Sequence, residues 1–127
     1  MTTRPGVQEV DGRLVATARG IEPPPGWTND YEQLGGDDEW ANEGPMHQLL
    51  CDLGVDVTGL KPLYALEAGT GGNLVLFETG SPPAFYFFSP IEFSLYKINL
   101  FTDLGELVEW IGDEEKGYRS LDVDQLN

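Results

Sequence analysis

An α+β fold in a single domain, built on an antiparallel meander sheet of four or more strands with two helices packed on it, is what this sequence predicts. Three observations carry the expectation. Four short apolar segments follow one another between residues 60 and 100, with turn residues between them. Leu104, Leu107, Val108 and Ile111 then make one face of an amphipathic helix, and Met46, Leu49, Leu50 and Leu53 recur at the same helical spacing. The chain has 127 residues, which suits one domain and one core, since domains most often hold about 100–150.

From the N-terminus, "VQEVDGRLVATA" (7–18) sets Asp11-Gly12 between two short runs that can alternate, a strong signal for a two-residue hairpin turn. Residues 20–38 hold Pro23, Pro24 and Pro25 with Gly26, Gly35 and Gly36 and follow no helical or strand period, so a long surface loop pinned by Trp27 and Tyr31 is expected. A helix should begin near Pro45, whose missing N–H costs nothing in a first turn, and stop at Gly54. Segments 60–68, 73–79, 84–88 and 94–100 are the expected strands, the last with Tyr96, Ile98 and Leu100 on one side and Lys97 and Asn99 on the other. Asp103 and Glu106 have the spacing of a capping box at the head of the closing helix, 102–111. Residues 112–127 are polar and without period, which predicts a loosely held tail.

The stretch "GTGGNLVLFETGSPPAFYFFSP" (69–90) invites comparison with a phosphate-binding loop. Such a loop needs its glycines to open a helix whose first N–H groups face the anion, whereas Gly69, Gly71 and Gly72 lead into "NLVLFE", a strand pattern. They read as a turn between strands. Half of the chain's aromatics lie within residues 85–101, and the unbroken run "AFYFF" suits a strand covered on both faces. Neighbours in a strand alternate, so Phe87 and Phe88 must point to opposite sides, and one or two of these rings are expected at the surface.

Twenty-two Asp and Glu oppose seven Lys and Arg, a net charge of −15. A surface that negative repels nucleic acid and anionic membrane and attracts a basic protein; adaptation of the host to salt is the other source of such a composition. The charge is uneven: between Arg19 and Lys61 there is no basic residue and there are nine acidic ones. A single cysteine, Cys51, leaves no internal disulfide, the first residues lack the basic-then-apolar signal pattern, and no apolar run approaches the roughly 18 residues of a spanning helix. The expectation is a cytoplasmic protein without membrane contact.

No catalytic residue, metal or cofactor is expected. His47 and Cys51 are four residues apart and share one helix face, but two ligands do not make a zinc site, and a lone cysteine in "HQLLCDL" is expected to be a small buried residue. Asp37-Asp38 and Glu114-Glu115 lack the spaced ligands of a calcium loop and read as solvated charge.

The order "YALEAGTGGNLVLFETGSPPAFYFF", a strand "YKINL" and the acidic helix "FTDLGELVEWI" resembles the SUKH superfamily, also called the SMI1/KNR4 family, over residues 60–112. Members carry a Gly-Gly-Asn-hydrophobic strand, a turn, a second strand ending in aromatics and a closing helix. Before residue 60 this chain has a hairpin and a Pro-rich loop where the family usually has two helices. The resemblance implies an α+β fold used by bacteria and their viruses as an immunity protein that neutralises a toxin, commonly a nuclease or deaminase.

The residues themselves offer a place for such binding. In segment 27–43, Asp30, Glu32, Asp37, Asp38, Glu39 and Glu43 can present carboxylates where phosphates would sit, and Trp27, Tyr31 and Trp40 can supply the desolvated anchors that dominate interface energy. The competing role for Trp27 and Trp40 is to cover the core beneath the loop. The expected function is an acidic binding protein that neutralises a basic partner, an immunity protein first. A phage-type inhibitor that mimics nucleic acid, and a small enzyme or ligand-binding domain with a site between the sheet and residues 20–38, are the alternatives.

Overall fold

The computed structural model describes residues 6–36, 40, 44–67, 73–90 and 92–127. Val7–Val10 (β1) and Arg13–Ala16 (β2) form an antiparallel hairpin. Asp11 and Gly12 at its turn have φ of 52° and 78°, the paired positive values of a type I′ turn. Trp27–Thr28 (β3), Lys61–Glu67 (β4), Asn73–Thr79 (β5), Ala84–Ser89 (β6), Ser94–Ile98 (β7) and Val123–Gln125 (β8) make a six-stranded antiparallel sheet in chain order. Pro45–Asp52 (α1) and Leu104–Gly112 (α2) complete the α+β meander that the sequence predicts.

Alternation divides the apolar strands between two cores. Val75 and Phe77 lie beside Ala65, Tyr86, Phe88 and Leu95, and this face is covered by Met46 and Leu50 of α1 together with Tyr31, Leu34 and Trp40. The opposite face presents Leu76, Phe85, Phe87 and Ile98 to Leu104, Leu107 and Ile111 of α2, with Trp27 and Leu121 in the same cluster. A sheet covered on both faces can be apolar at consecutive positions, which accounts for the run at 84–88. Phe87 and Phe88 are both buried, on opposite sides, and the ring left exposed is Phe93.

β4 carries a proline in mid-sheet, and its neighbours make that tolerable. The register with β5 slips between Pro62 and Tyr64, a bulge that sends Leu63 and Tyr64 to the same core. On its other side β4 pairs with only Trp27 and Thr28 of β3, opposite Leu66 and Ala65, so Pro62 faces no strand there. At the head of α2, Asp103 caps the helix by accepting the Gly105 N–H at 2.9 Å.

Three expectations are corrected. The loop at 20–38 is not merely laid on the surface: Trp27–Thr28 joins the sheet, and the Ala16 and Tyr31 N–H groups donate to Asn29 and Leu14 carbonyls, tying hairpin to sheet. β7 ends at Ile98, and Leu100 leaves the strand with φ of 72° and 86% of its surface exposed, so it does not continue the Tyr96–Ile98 side. Residues 112–127 are not a loose tail. They form a 3-10 turn at Tyr118–Ser120, bury Leu121 and add β8 beside β7. β8 is held by polar contacts that leave no periodic trace: the Asn127 side chain accepts from the Leu95 N–H and donates to the Phe93 carbonyl, each at 2.8 Å.

Candidate functional site

Segment 27–43 divides between core and surface. Trp27 is buried with its ring 6.0 Å from Phe87 and 5.9 Å, edge-on, from Tyr118. Tyr31 is buried, and so is Trp40, whose indole N–H donates to the Leu34 carbonyl at 2.6 Å while its ring meets Phe77 edge-on at 5.4 Å. The three rings therefore cover the core beneath the loop in this conformation rather than offering free anchors. Asp30 is half-buried and accepts the Glu32 N–H at 3.2 Å, and Glu32 is exposed. Asp37, Asp38, Glu39 and Glu43 lie outside the described residues.

The helix brings His47 and Cys51 together as their spacing requires, with Sγ 3.7 Å from Nδ1. Cys51 is exposed, which corrects the buried role expected of it: α1 turns the Met46–Leu50 row inward, and the His47–Cys51 row lies one position further round, toward solvent. No third side chain orients the pair among the described residues, and no group of three His, Cys, Asp or Glu there could hold a metal ion. Glu114 and Glu115 are solvated, as expected.

A buried ion pair escaped the sequence reading. Glu78 is almost fully buried on the α2 side of the sheet and pairs with Arg19, which lies 59 positions earlier in the chain. Arg19 reaches it from a turn in which Ala18, Arg19 and Gly20 have φ of 44°, 55° and 82°, a left-handed conformation that costs each non-glycine residue about 1–2 kcal/mol. Beside the pair, the Tyr64 hydroxyl donates to the Ile21 carbonyl at 2.6 Å, and burial pushes its pKa up to about 12. These contacts clamp residues 18–21 to the sheet, a structural task that needs no reactive group.

The α2 side of the sheet also holds a pocket of about 370 Å³ at the end where β6 meets β7. Leu74, Phe87 and Tyr96 form its floor, and Tyr118, Arg119 and Leu121 cross it as one wall. Arg119 lies over the Tyr118 ring and donates through Nε to its hydroxyl at 3.1 Å. Glu92, also in the lining, accepts from the Tyr96 hydroxyl at 3.4 Å. Phe87 and Tyr96 stand opposite each other in the β6–β7 register, which the sequence does not show, and the expectation of a loose tail at 112–127 left out the wall that makes a pocket of them. A smaller cavity of about 180 Å³ lies on the other face, between Glu32, Trp40 and Phe88.

Acidic side chains dominate the remaining surface. Among the described acidic side chains only Glu78 is buried, and Arg19–Glu78 is the only ion pair among the described residues. On α2, Glu106 and Glu109 share an outward stripe that continues into Asp113, Glu114 and Glu115, and its last turn contains no basic residue. Comparison of the chain with protein-family models, with curated proteins and with solved structures finds no match.

Proposed function

We propose that this chain is an acidic binding protein that neutralises a basic protein partner. The observation that carries the reading is the carboxylate stripe of α2. Glu109, Asp113, Glu114 and Glu115 crowd the C-terminal end of the helix, where the backbone dipole favours cations by about 0.3–1 kcal/mol per charge. The dipole gives Glu109, Glu114 and Glu115 no stabilisation there, Asp113 alone closes a local turn by accepting the Glu115 N–H at 2.8 Å, and none of the four makes an ion pair with a described base. Such a stripe, with exposed Leu100 at its N-terminal end, has the form of a charged rim beside an apolar contact. Asp30 and Glu32, with Asp37, Asp38, Glu39 and Glu43 of the same segment, supply a second acidic block that steers encounter.

The likeness of residues 60–112 to the SUKH superfamily supports the narrower form of the proposal, an immunity protein against a toxin of the nuclease or deaminase class. The partner should be captured from the chain's own host at low salt and released as salt rises, because exposed charges are screened beyond about 8 Å at physiological ionic strength. Once purified, it should be a basic enzyme whose activity falls in proportion to added chain. A partner indifferent to both salt and reversal of the α2 acids to lysine would refute the reading.

A further inference from the structure

We propose that the pocket between the sheet and the Tyr118–Leu121 segment binds a small zwitterion with an aromatic body, of the class of the free aromatic amino acids. Its size is at the lower end of small-molecule sites, which run from about 300 to 1,000 Å³. The walls are suited to a ring: Phe87, Tyr96 and Tyr118 present faces and edges, and aromatic pairs prefer the offset or edge-on contacts such an enclosure permits.

The charges decide the class. Glu92 and Arg119 both line the pocket, carry opposite signs and do not pair with each other. Each is held by its own tyrosine, Glu92 by Tyr96 and Arg119 by Tyr118, and neither has an ionic partner among the described residues. Arg119 still has its terminal guanidinium nitrogens to offer, and the Tyr96–Glu92 contact of 3.4 Å leaves carboxylate lone pairs open. A monocation would meet Glu92 but be opposed by Arg119; a monoanion would have the reverse fate. The net charge of −15 does not settle the matter, because its exposed contributors beyond about 8 Å are screened and the two lining charges cancel. A ligand with an ammonium for Glu92 and a carboxylate for Arg119 satisfies both without opposing the field.

Three probes of one ring and different charge test this in the wild-type protein: L-phenylalanine, 2-phenylethylamine and 3-phenylpropanoate. Calorimetry gives the affinities, and total tryptophan fluorescence is a second readout, since Trp27, one of three tryptophans, touches both Phe87 and Tyr118. L-Phenylalanine should bind at least about tenfold more tightly than either singly charged analogue. Arg119→Gln should abolish the advantage over the amine, and Glu92→Gln the advantage over the acid; both side chains are exposed, so the fold should survive. An amine that binds as well as the amino acid, or no saturable binding by any of the three, overturns the proposal. Because no protein partner enters the experiment, its outcome is independent of the neutralising function.

Discussion

Removing Arg19 should cost this protein about 3 kcal/mol, because it strands the buried Glu78 carboxylate. Glu78 has only 3% of its side chain exposed, whereas Arg19 has 45%. Deleting one partner of a buried pair costs about 3–5 kcal/mol, since the other charge is left in a poorly solvated site, and the partial exposure of Arg19 places the value at the low end. Arg19→Met keeps most of the aliphatic stem and removes only the charge and its donors. With a urea slope of roughly 1.5 kcal/mol/M, within the range for small domains, the unfolding midpoint should fall by about 2 M. That is a large share of a total near 5–15 kcal/mol.

The control is a double variant. Arg19→Met with Glu78→Leu removes both charges, and replacing a buried pair by apolar groups of similar volume is often neutral or stabilising, so most of the loss should return. If Arg19→Met unfolds within about 0.3 M of the wild type, Glu78 is hydrated in solution and the clamp on residues 18–21 does not hold. If the single variant is destabilised but the double variant recovers nothing, the left-handed turn rather than the buried charge is what Arg19 secures.

Trp40→Ala should lower stability by about 3–5 kcal/mol, because the ring is buried against Phe77 and its N–H closes onto Leu34; a thermal melt displaced by only a degree or two would instead free Trp40 for a role at an interface. Tyr64 gives a pH signature. Its folded pKa is about 12 against an ordinary value near 10, so its contribution is complete below about pH 10 and is lost as pH climbs toward 12; urea midpoints should fall over that interval, less steeply in Tyr64→Phe. Leu121→Ala should cost about 2–5 kcal/mol by urea denaturation if the C-terminal segment is part of the core, and nothing measurable if it is loose.

What could be read from the sequence followed from periodicity, and what could not depended on distance along the chain. Asp11-Gly12, Pro45 and Asp103 announce their elements because turn and cap chemistry acts within a few residues. The β5–β6–β7 meander was visible because its strands are consecutive and strongly apolar. β8 was not, since Val123-Asp124-Gln125 has no apolar alternation and is held by Asn127 reaching back to Phe93 and Leu95. The same holds for the sites. Acidity is a sum over residues and is legible at once, but which aromatics are free is a question of packing: Trp27 and Trp40 share the segment with the acids yet lie in opposite cores of the sheet. The Glu92–Arg119 pocket and the Arg19–Glu78 pair each join residues far apart in sequence, through a register that only the fold supplies.

The acidity itself can be assigned a purpose by asking what it does to stability. Fifteen of the 22 acidic residues fall in two blocks without Lys or Arg, 20–60 and 98–115, whereas acids that serve only to hold water would be spread over the surface. In the second block the position of each charge matters: Glu109 is in the last turn of α2 and Glu114 just beyond it, both exposed. Lysine at these two sites would turn an unfavourable dipole interaction into a favourable one, and Glu109→Lys with Glu114→Lys should therefore stabilise the fold by about 0.3–1 kcal/mol per site at low salt, less as salt rises. The same double variant should slow association with a basic partner, because steering by a charged surface raises encounter rates by about 10–10³ and is undone by reversal. A protein made more stable and at the same time slower to bind has kept those carboxylates for recognition. If the variant loses stability while binding is untouched, the stripe serves solvation, and the contact surface lies elsewhere on the fold.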